Sequence, residues 1–263
     1  MKNRISRCIA QAKKNKQKLL CPFITAGYPS LSATKQLIRG FEAMGIPMLE
    51  LGIPFSDPLA DGPVIQETSF EALKKDVSIR ECCKLVAQLR KEGCELPIIF
   101  FSYINPIVYM GYKEFAALLV RSGVDGVLCP DLPLGVEDHF PTLLRSCGIS
   151  CIRLIAPNTT ATRRAKIARD SDDFIYYVSR KGITGTQSSL SRGLKNEVQA
   201  IKRSTTKPVL VGFGISRKEH VREVLSVSDG AIIGSAILKV LKKQKRVSQA
   251  LTFTKSLMQG IPK

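Results

Sequence analysis

Three carboxylates lie within twelve residues of one another in the stretch from Met48 to Gln66, MLELGIPFSDPLADGPVIQ: Glu50, Asp57 and Asp61. Glu50 sits in a short apolar run suited to a buried strand. Asp57 and Asp61 hang in a loop too rich in Pro and Gly to be a helix or a central strand. Two such acids facing each other across a pocket can move protons to and from a substrate held between them. A carboxyl at the end of an apolar strand is stripped of water, which raises its pKa and suits it to proton transfer near neutrality. The plainer reading makes Glu50 a buried acid paired with Lys or Arg, and the two aspartates loop caps.

The elements that must position these acids alternate along the chain. Strands are read at Leu19 to Thr25, at the run carrying Glu50, and at Pro97 to Tyr103, Gly126 to Cys129, Ser150 to Ile155, Phe174 to Val178, Pro208 to Val211 and Gly230 to Ile233. Helical segments follow each. One is capped by Ser30 and stopped at Gly45. Another opens with a capping box from Ser78 to Glu81 and ends at Gly93. A second capping box is read at Ser216 and Glu219, while INPIVYMGY and RKGITGTQSSLSRG are read as loops. Strands that are apolar throughout, each followed by a helix, require a parallel sheet covered by helices. Eight such units in 263 residues predict a single α/β domain over 1–263, a (β/α)8 TIM barrel with an extra N-terminal helix and loop helices.

Barrel geometry places Glu50 at the C-terminal mouth, with Asp61 above it. Tyr176 or one of its neighbours on strand six faces inward. Glycines cluster late in the chain, at Gly212 and Gly214, at Gly234 beside Ser235, and at Gly182 and Gly185. Barrels of this kind bind phosphate between the loops after strands seven and eight and a helix N-terminus. Glycine lets backbone N–H groups approach the oxygens closely.

Composition bounds the partners. Forty-four percent hydrophobic residues suffice for a large core. No apolar run reaches the length of a membrane span, and the basic N-terminus lacks a secretory apolar core, so a cytoplasmic protein without a membrane partner is expected. Eight cysteines without a CxxC pair read as reduced, structural thiols. His139 and His220 lack companions at ligand spacing, so no metal is expected. The formal charge of +18 favours phosphorylated metabolites or acidic surfaces. With no Trp and no aromatic residues among the basic runs, nucleic acid is not read as a partner.

PFITAGYPS (22–30), LELGIPFSDPLADGPVIQ (49–66), GVDGVLCPDLP (123–133), VSRKGITG (178–185) and VGFGIS (211–216) together resemble the tryptophan synthase α subunit family, with the likeness running from about Pro22 to Leu238. The resemblance implies retro-aldol cleavage of indole-3-glycerol phosphate to indole and glyceraldehyde 3-phosphate, with no cofactor in this chain. It makes Glu50 the general acid/base, Asp61 the acceptor of the indole N–H, and Tyr176 a tyrosine beside the reacting centre. Phe23, Leu128, Ile155 and Phe213 would line the indole slot, with Phe101 at its wall. Gly185, Gly214, Gly234 and Ser235 would hold the phosphate, and Thr184 belongs to the same substrate-binding set.

The resemblance also implies a pyridoxal phosphate-dependent β subunit in an αββα assembly. The loops from Pro54 to Gly62 and Arg180 to Gly193 would be mobile elements facing that partner, through Pro54, Asp57, Pro58, Arg180 and Gly182. Phe101, Ser102, the segment TQSSLSRGLKNE and the +18 charge depart from the family pattern. These departures suggest a second possibility, a barrel with little cleavage of its own that binds and activates the β subunit.

Overall fold

The computed structural model describes residues 3–136, 139–179, 187–212 and 214–262, with backbone only for 187–192. Eight parallel strands close a barrel in chain order: β1 (Leu19–Thr25), β2 (Leu49–Gly52), β3 (Ile98–Phe101), β4 (Gly126–Leu128), β5 (Ser150–Ile155), β6 (Ile175–Val178), β7 (Val209–Gly212) and β8 (Gly230–Ile233). β8 returns to pair with β1 from Leu19↔Gly230 to Pro22↔Ile233. The expected (β/α)8 barrel is therefore the fold.

Alternation along each strand divides the core in two. Leu19, Cys21, Phe23, Ile99, Phe101, Leu128, Ile152, Leu210 and Ile232 point into the barrel. Their neighbours, including Leu20, Ile24, Leu51, Phe100, Val127, Ile155, Ile175 and Val211, pack outward against the helices. Ile155, expected in the indole slot, is thus on the helix-facing side, and Leu154 takes the inward place.

The surrounding helices are α1 (Arg4–Lys14), α2 (Leu31–Ala43), α3 (Pro63–Leu73), α4 (Ile79–Lys91), α5 (Ile104–Met110), α6 (Tyr112–Ser122), α7 (His139–Ser146), α8 (Ala161–Asp170), α9 (Gln187–Lys202), α10 (Lys218–Val227), α11 (Ser235–Gln244) and α12 (Val247–Met258). The N-terminal helix α1 closes the bottom of the barrel, its Ile5 and Ala12 joining the interior cluster. It is held there by Asn3 Nδ2, which donates to the Asp125 carbonyl at 3.1 Å, and by Arg4, 3.2 Å from the buried Asp125 carboxylate. The Ser30 and Ser78 hydroxyls cap their helices, each accepting from the backbone N–H three residues on, at 3.1 and 3.4 Å; only the serine half of the expected Ser78–Glu81 box forms, as the Glu81 carboxylate accepts from Lys84 at 2.7 Å.

Several local expectations are corrected. INPIVYMGY is not all loop: its first seven residues form α5, and Pro106 is tolerated because it falls in the first turn, whose N–H groups lack helical partners. The segment read as a loop to Gly193 becomes α9 from Gln187 onward. No box forms at Ser216, because α10 starts two residues later with Arg217 as N-cap, and the Ser216 N–H instead donates to His220 Nδ1 at 3.4 Å. The sequence reading missed α12, which packs on α11 and α2. All eight cysteines are free thiols. Among the described residues no helix is long and apolar enough to cross a membrane.

Candidate active site

A cavity of about 410 Å³ opens at the C-terminal ends of the strands, within the usual range for small-molecule sites. Its walls bring together Phe23, Asp61, Phe101, Tyr176, Gly214, Gly234 and Ser235, which lie far apart in the chain. Strand register explains the meeting. Phe23 of β1 and Ile99 of β3 pair on either side of Glu50, so Glu50 lies between two interior apolar side chains.

Glu50 is fully buried, and neither carboxyl oxygen has a hydrogen-bond partner among the described residues. Burial, reinforced by the nearby charge of Asp61, pushes its pKa up to about 8. The plainer reading of Glu50, as an acid paired with Lys or Arg, fails on this geometry. Asp61 lies in the loop just before the Gly62 cap of α3, half-buried. Burial raises its pKa to about 6, and the hydrogen bond from Tyr103 holds it lower than burial alone would. Of the two, only Asp61 is among the residues lining the cavity, Glu50 being fully enclosed in the barrel interior. At neutral pH Glu50 is neutral and Asp61 ionised, the separation that acid and base roles require.

Tyr103 went unrecognised in the sequence. Its hydroxyl donates to Asp61 Oδ2 at 2.9 Å and accepts from the Ala60 N–H at 3.0 Å, while its ring stacks on Phe55 with centroids 5.3 Å apart. One side chain thus fixes both the backbone and the carboxylate of the acidic loop. The period-two signal was available, since Tyr103 follows the inward Phe101 by two residues. The far end of the loop is tied to α3, where the Ser69 hydroxyl accepts from the Phe55 N–H at 2.9 Å and donates to the Phe55 carbonyl at 3.1 Å. Pro54 and Pro58 are buried under this loop, and Asp57 is exposed.

Phe101, the unusual aromatic, meets Phe23 edge-on with centroids 5.6 Å apart, and the two form one wall. Leu128 is fully buried in the interior cluster beside Phe101 and is not among the cavity-lining residues. Tyr176 projects inward against Gly212, where an added Cβ would lie 2.3 Å from the phenolic oxygen. Glycine is required there for the tyrosine to fit. Leu154, Ile65 and Ile232 add to the apolar lining and were also unread. Gly214 and Ile215 lie on one rim, beside Gly234 and Ser235 at the N-terminus of α11, whose first-turn N–H groups suit an anion. Arg180, Gly182, Thr184, Gly185 and Phe213 lie outside the described residues. Among the described residues no three His, Cys, Asp or Glu side chains are placed to hold a metal ion.

The family model for the tryptophan synthase alpha chain matches residues 9–261. The chain belongs to this family. It is 37% identical over 259 residues to the tryptophan synthase alpha chain of Chloroflexus aggregans, covering 97% of each chain. A Saccharomyces cerevisiae protein named tryptophan synthase is 36% identical over 264 residues, which cover 99% of this chain and 37% of the yeast protein. The crystal structure of tryptophan synthase subunit alpha from Legionella pneumophila superposes with a TM-score of 0.91 at 33% identity, covering 99% of this chain and 98% of that one. Membership in this family makes the chain a carbon–carbon lyase of tryptophan biosynthesis that cleaves indole-3-glycerol phosphate.

Proposed function

We propose that the cavity carries out this cleavage with Glu50 as proton carrier and Asp61 as the partner of the indole N–H. The observation behind the assignment is the fully buried, unpartnered carboxyl of Glu50. Native folds rarely leave such a group unsatisfied, and catalytic use is one of the few reasons to do so.

Held neutral, Glu50 gives its proton to indole C3, and the ring becomes an iminium whose N–H faces the Asp61 carboxylate. Glu50, now ionised, takes the proton of the hydroxyl on the adjacent side-chain carbon. The C–C bond breaks as that carbon becomes the aldehyde of glyceraldehyde 3-phosphate. The bonding pair returns to the ring and neutralises the iminium, and the transferred proton remains as the C3 hydrogen of indole. Glu50 ends as it began, and no redox or metal step is required. Phe23, Phe101, Leu154 and Tyr176 hold the ring, and Gly214, Gly234 and Ser235 hold the phosphate.

Because Asp61 must be ionised and Glu50 protonated, kcat/KM is expected to rise with pH through about 6 and fall through about 8. A profile flat across that window would remove one of the two from its role.

The mouth of the barrel also offers a docking face. Leu59 is 91% and Tyr109 95% exposed, and both Val108 and Val136 are exposed beside them in sequence or on the neighbouring loop. These residues follow β2, β3 and β4, so they surround one side of the cavity entrance. Exposed apolar residues grouped at an active-site mouth fit a protein partner. The β subunit is that partner in this proposal, carrying pyridoxal phosphate and receiving indole within an αββα assembly. The cytoplasm is the proposed setting. Tyr109→Asp should leave basal indole release unchanged and abolish its stimulation by the β subunit. Undiminished stimulation would place the contact elsewhere.

A further inference from the structure

A second cavity, of about 670 Å³, lies at the opposite end of the barrel, between the C-terminal turns of α1 and α9 and the N-terminal ends of β1, β7 and β8. Five lysines line it, Lys13, Lys16, Lys18, Lys202 and Lys207, against two acids, Asp173 and Asp229.

Both acids are already engaged. Asp229 accepts from Lys202 at 2.7 Å through one oxygen and from the Val209 N–H at 2.9 Å through the other. Asp173 accepts from Ser6 at 2.6 Å and from the Ser150 hydroxyl. Two of the lysines are structural: Lys202 is paired as stated, and Lys207 bonds the carbonyls of Ala168, Arg169 and Ser171 around the end of α8.

The other three carry the surplus charge. Lys18 is drawn in by the Ser228 carbonyl at 2.7 Å, and burial lowers its pKa, with the charge of Asp229 opposing the shift and that of Lys202 adding to it. Lys13 and Lys16 have no ion pair among the described residues. Lys16 holds a left-handed backbone (φ 53°) just past the end of α1, a place where glycine or asparagine is usual. Favourable interaction with helix carbonyls accounts for a basic last turn. It does not account for three further cations on one concavity, where the lysines outnumber the two acids and leave a net positive charge.

We propose that this cavity is a binding site for a small polyanion, a metabolite bearing two or more phosphate or carboxylate groups, held by Lys13, Lys16 and Lys18. Like charges gathered around a concave, partly desolvated space attract such a ligand. The hydroxyls of Thr205 and Thr206 on the same wall add hydrogen-bonding groups.

Calorimetric titration of the full chain with inorganic tripolyphosphate tests the site, at constant ionic strength and with the catalytic mouth filled by glycerol 3-phosphate. One equivalent is expected to bind saturably. The double variant Lys13→Gln/Lys16→Gln should bind at least about tenfold more weakly, since two uncompensated charges are lost. Both side chains are exposed, so circular dichroism should be unchanged. Lys239→Gln/Lys243→Gln removes the same charge from exposed positions on α11 and should leave the affinity as it was. Equal losses in both double variants would reduce the effect to a diffuse basic surface. No saturable binding, or undiminished binding by Lys13→Gln/Lys16→Gln, would overturn the proposal.

Discussion

Glu50→Gln is expected to lower the rate of indole release by about 10²- to 10⁴-fold, the scale of a lost general acid/base, while affinity for phosphorylated ligands changes little. Glutamine keeps the volume and cannot carry the proton. The change should also alter how stability depends on pH. In the fold Glu50 stays protonated up to about pH 8, whereas a freely solvated glutamate ionises near 4.5. The stability contributed by keeping it neutral is fully present below the lower value and is lost as pH rises through the upper one. At pH 7 the wild-type chain gives up on the order of 3 kcal/mol at this residue. Glutamine does not titrate, so the thermal midpoint of Glu50→Gln relative to wild type should climb as pH is raised. A pH-independent difference between the two would mean that Glu50 is ionised in the fold.

Asp61→Asn is the second large effect, about 10²- to 10³-fold in kcat. An amide cannot offer the indole N–H a full negative charge, so the iminium loses its counter-ion as it forms. Loop closure and ligand binding should survive, because Tyr103 can still donate to the asparagine carbonyl oxygen. Tyr103→Phe separates position from charge. It keeps the stacking on Phe55 and removes the hydroxyl between Ala60 and Asp61, so a smaller loss is expected, with KM rising more than kcat falls. An Asp61→Asn enzyme with the wild-type rate would take Asp61 out of the chemistry.

The barrel was legible because each level of the sequence points the same way. Apolar runs of strand length recur eight times, the serines at 30 and 78 cap helices and glycines such as Gly45 and Gly93 follow helix ends, and β1, β5 and β8 fall at the expected residues. Glu50 and Asp61 were legible as a pair of acids beside a strand end. What the sequence leaves open is parity. Strand five is apolar at both Leu154 and Ile155, so composition does not say which faces inward, and the register through Gly126↔Ser150 decides for Leu154. Tyr103 was obscured for a related reason, since the reading ended strand three on it, whereas it is the N-cap of α5 and reaches back across the mouth to Asp61. The start of helix α9 was placed too late because TGTQSSLSRG holds glycines and serines that favour turns, and the tertiary setting overrides that preference from Gln187 onward. The Tyr177 hydroxyl on β6, donating to Glu197 at 2.5 Å, is one of the ties that hold this helix in place.

The most direct test is indole release from indole-3-glycerol phosphate by the purified chain, with Glu50→Gln as the blank, in the absence and presence of its β subunit. Indole well above the blank from the chain alone, and more with the partner, is the expected result. Release by Glu50→Gln at the wild-type rate would contradict Glu50 as the proton carrier. No release above the blank, alongside faster β-subunit synthesis from free indole and serine, would mean that the chain binds and activates its partner without cleaving substrate.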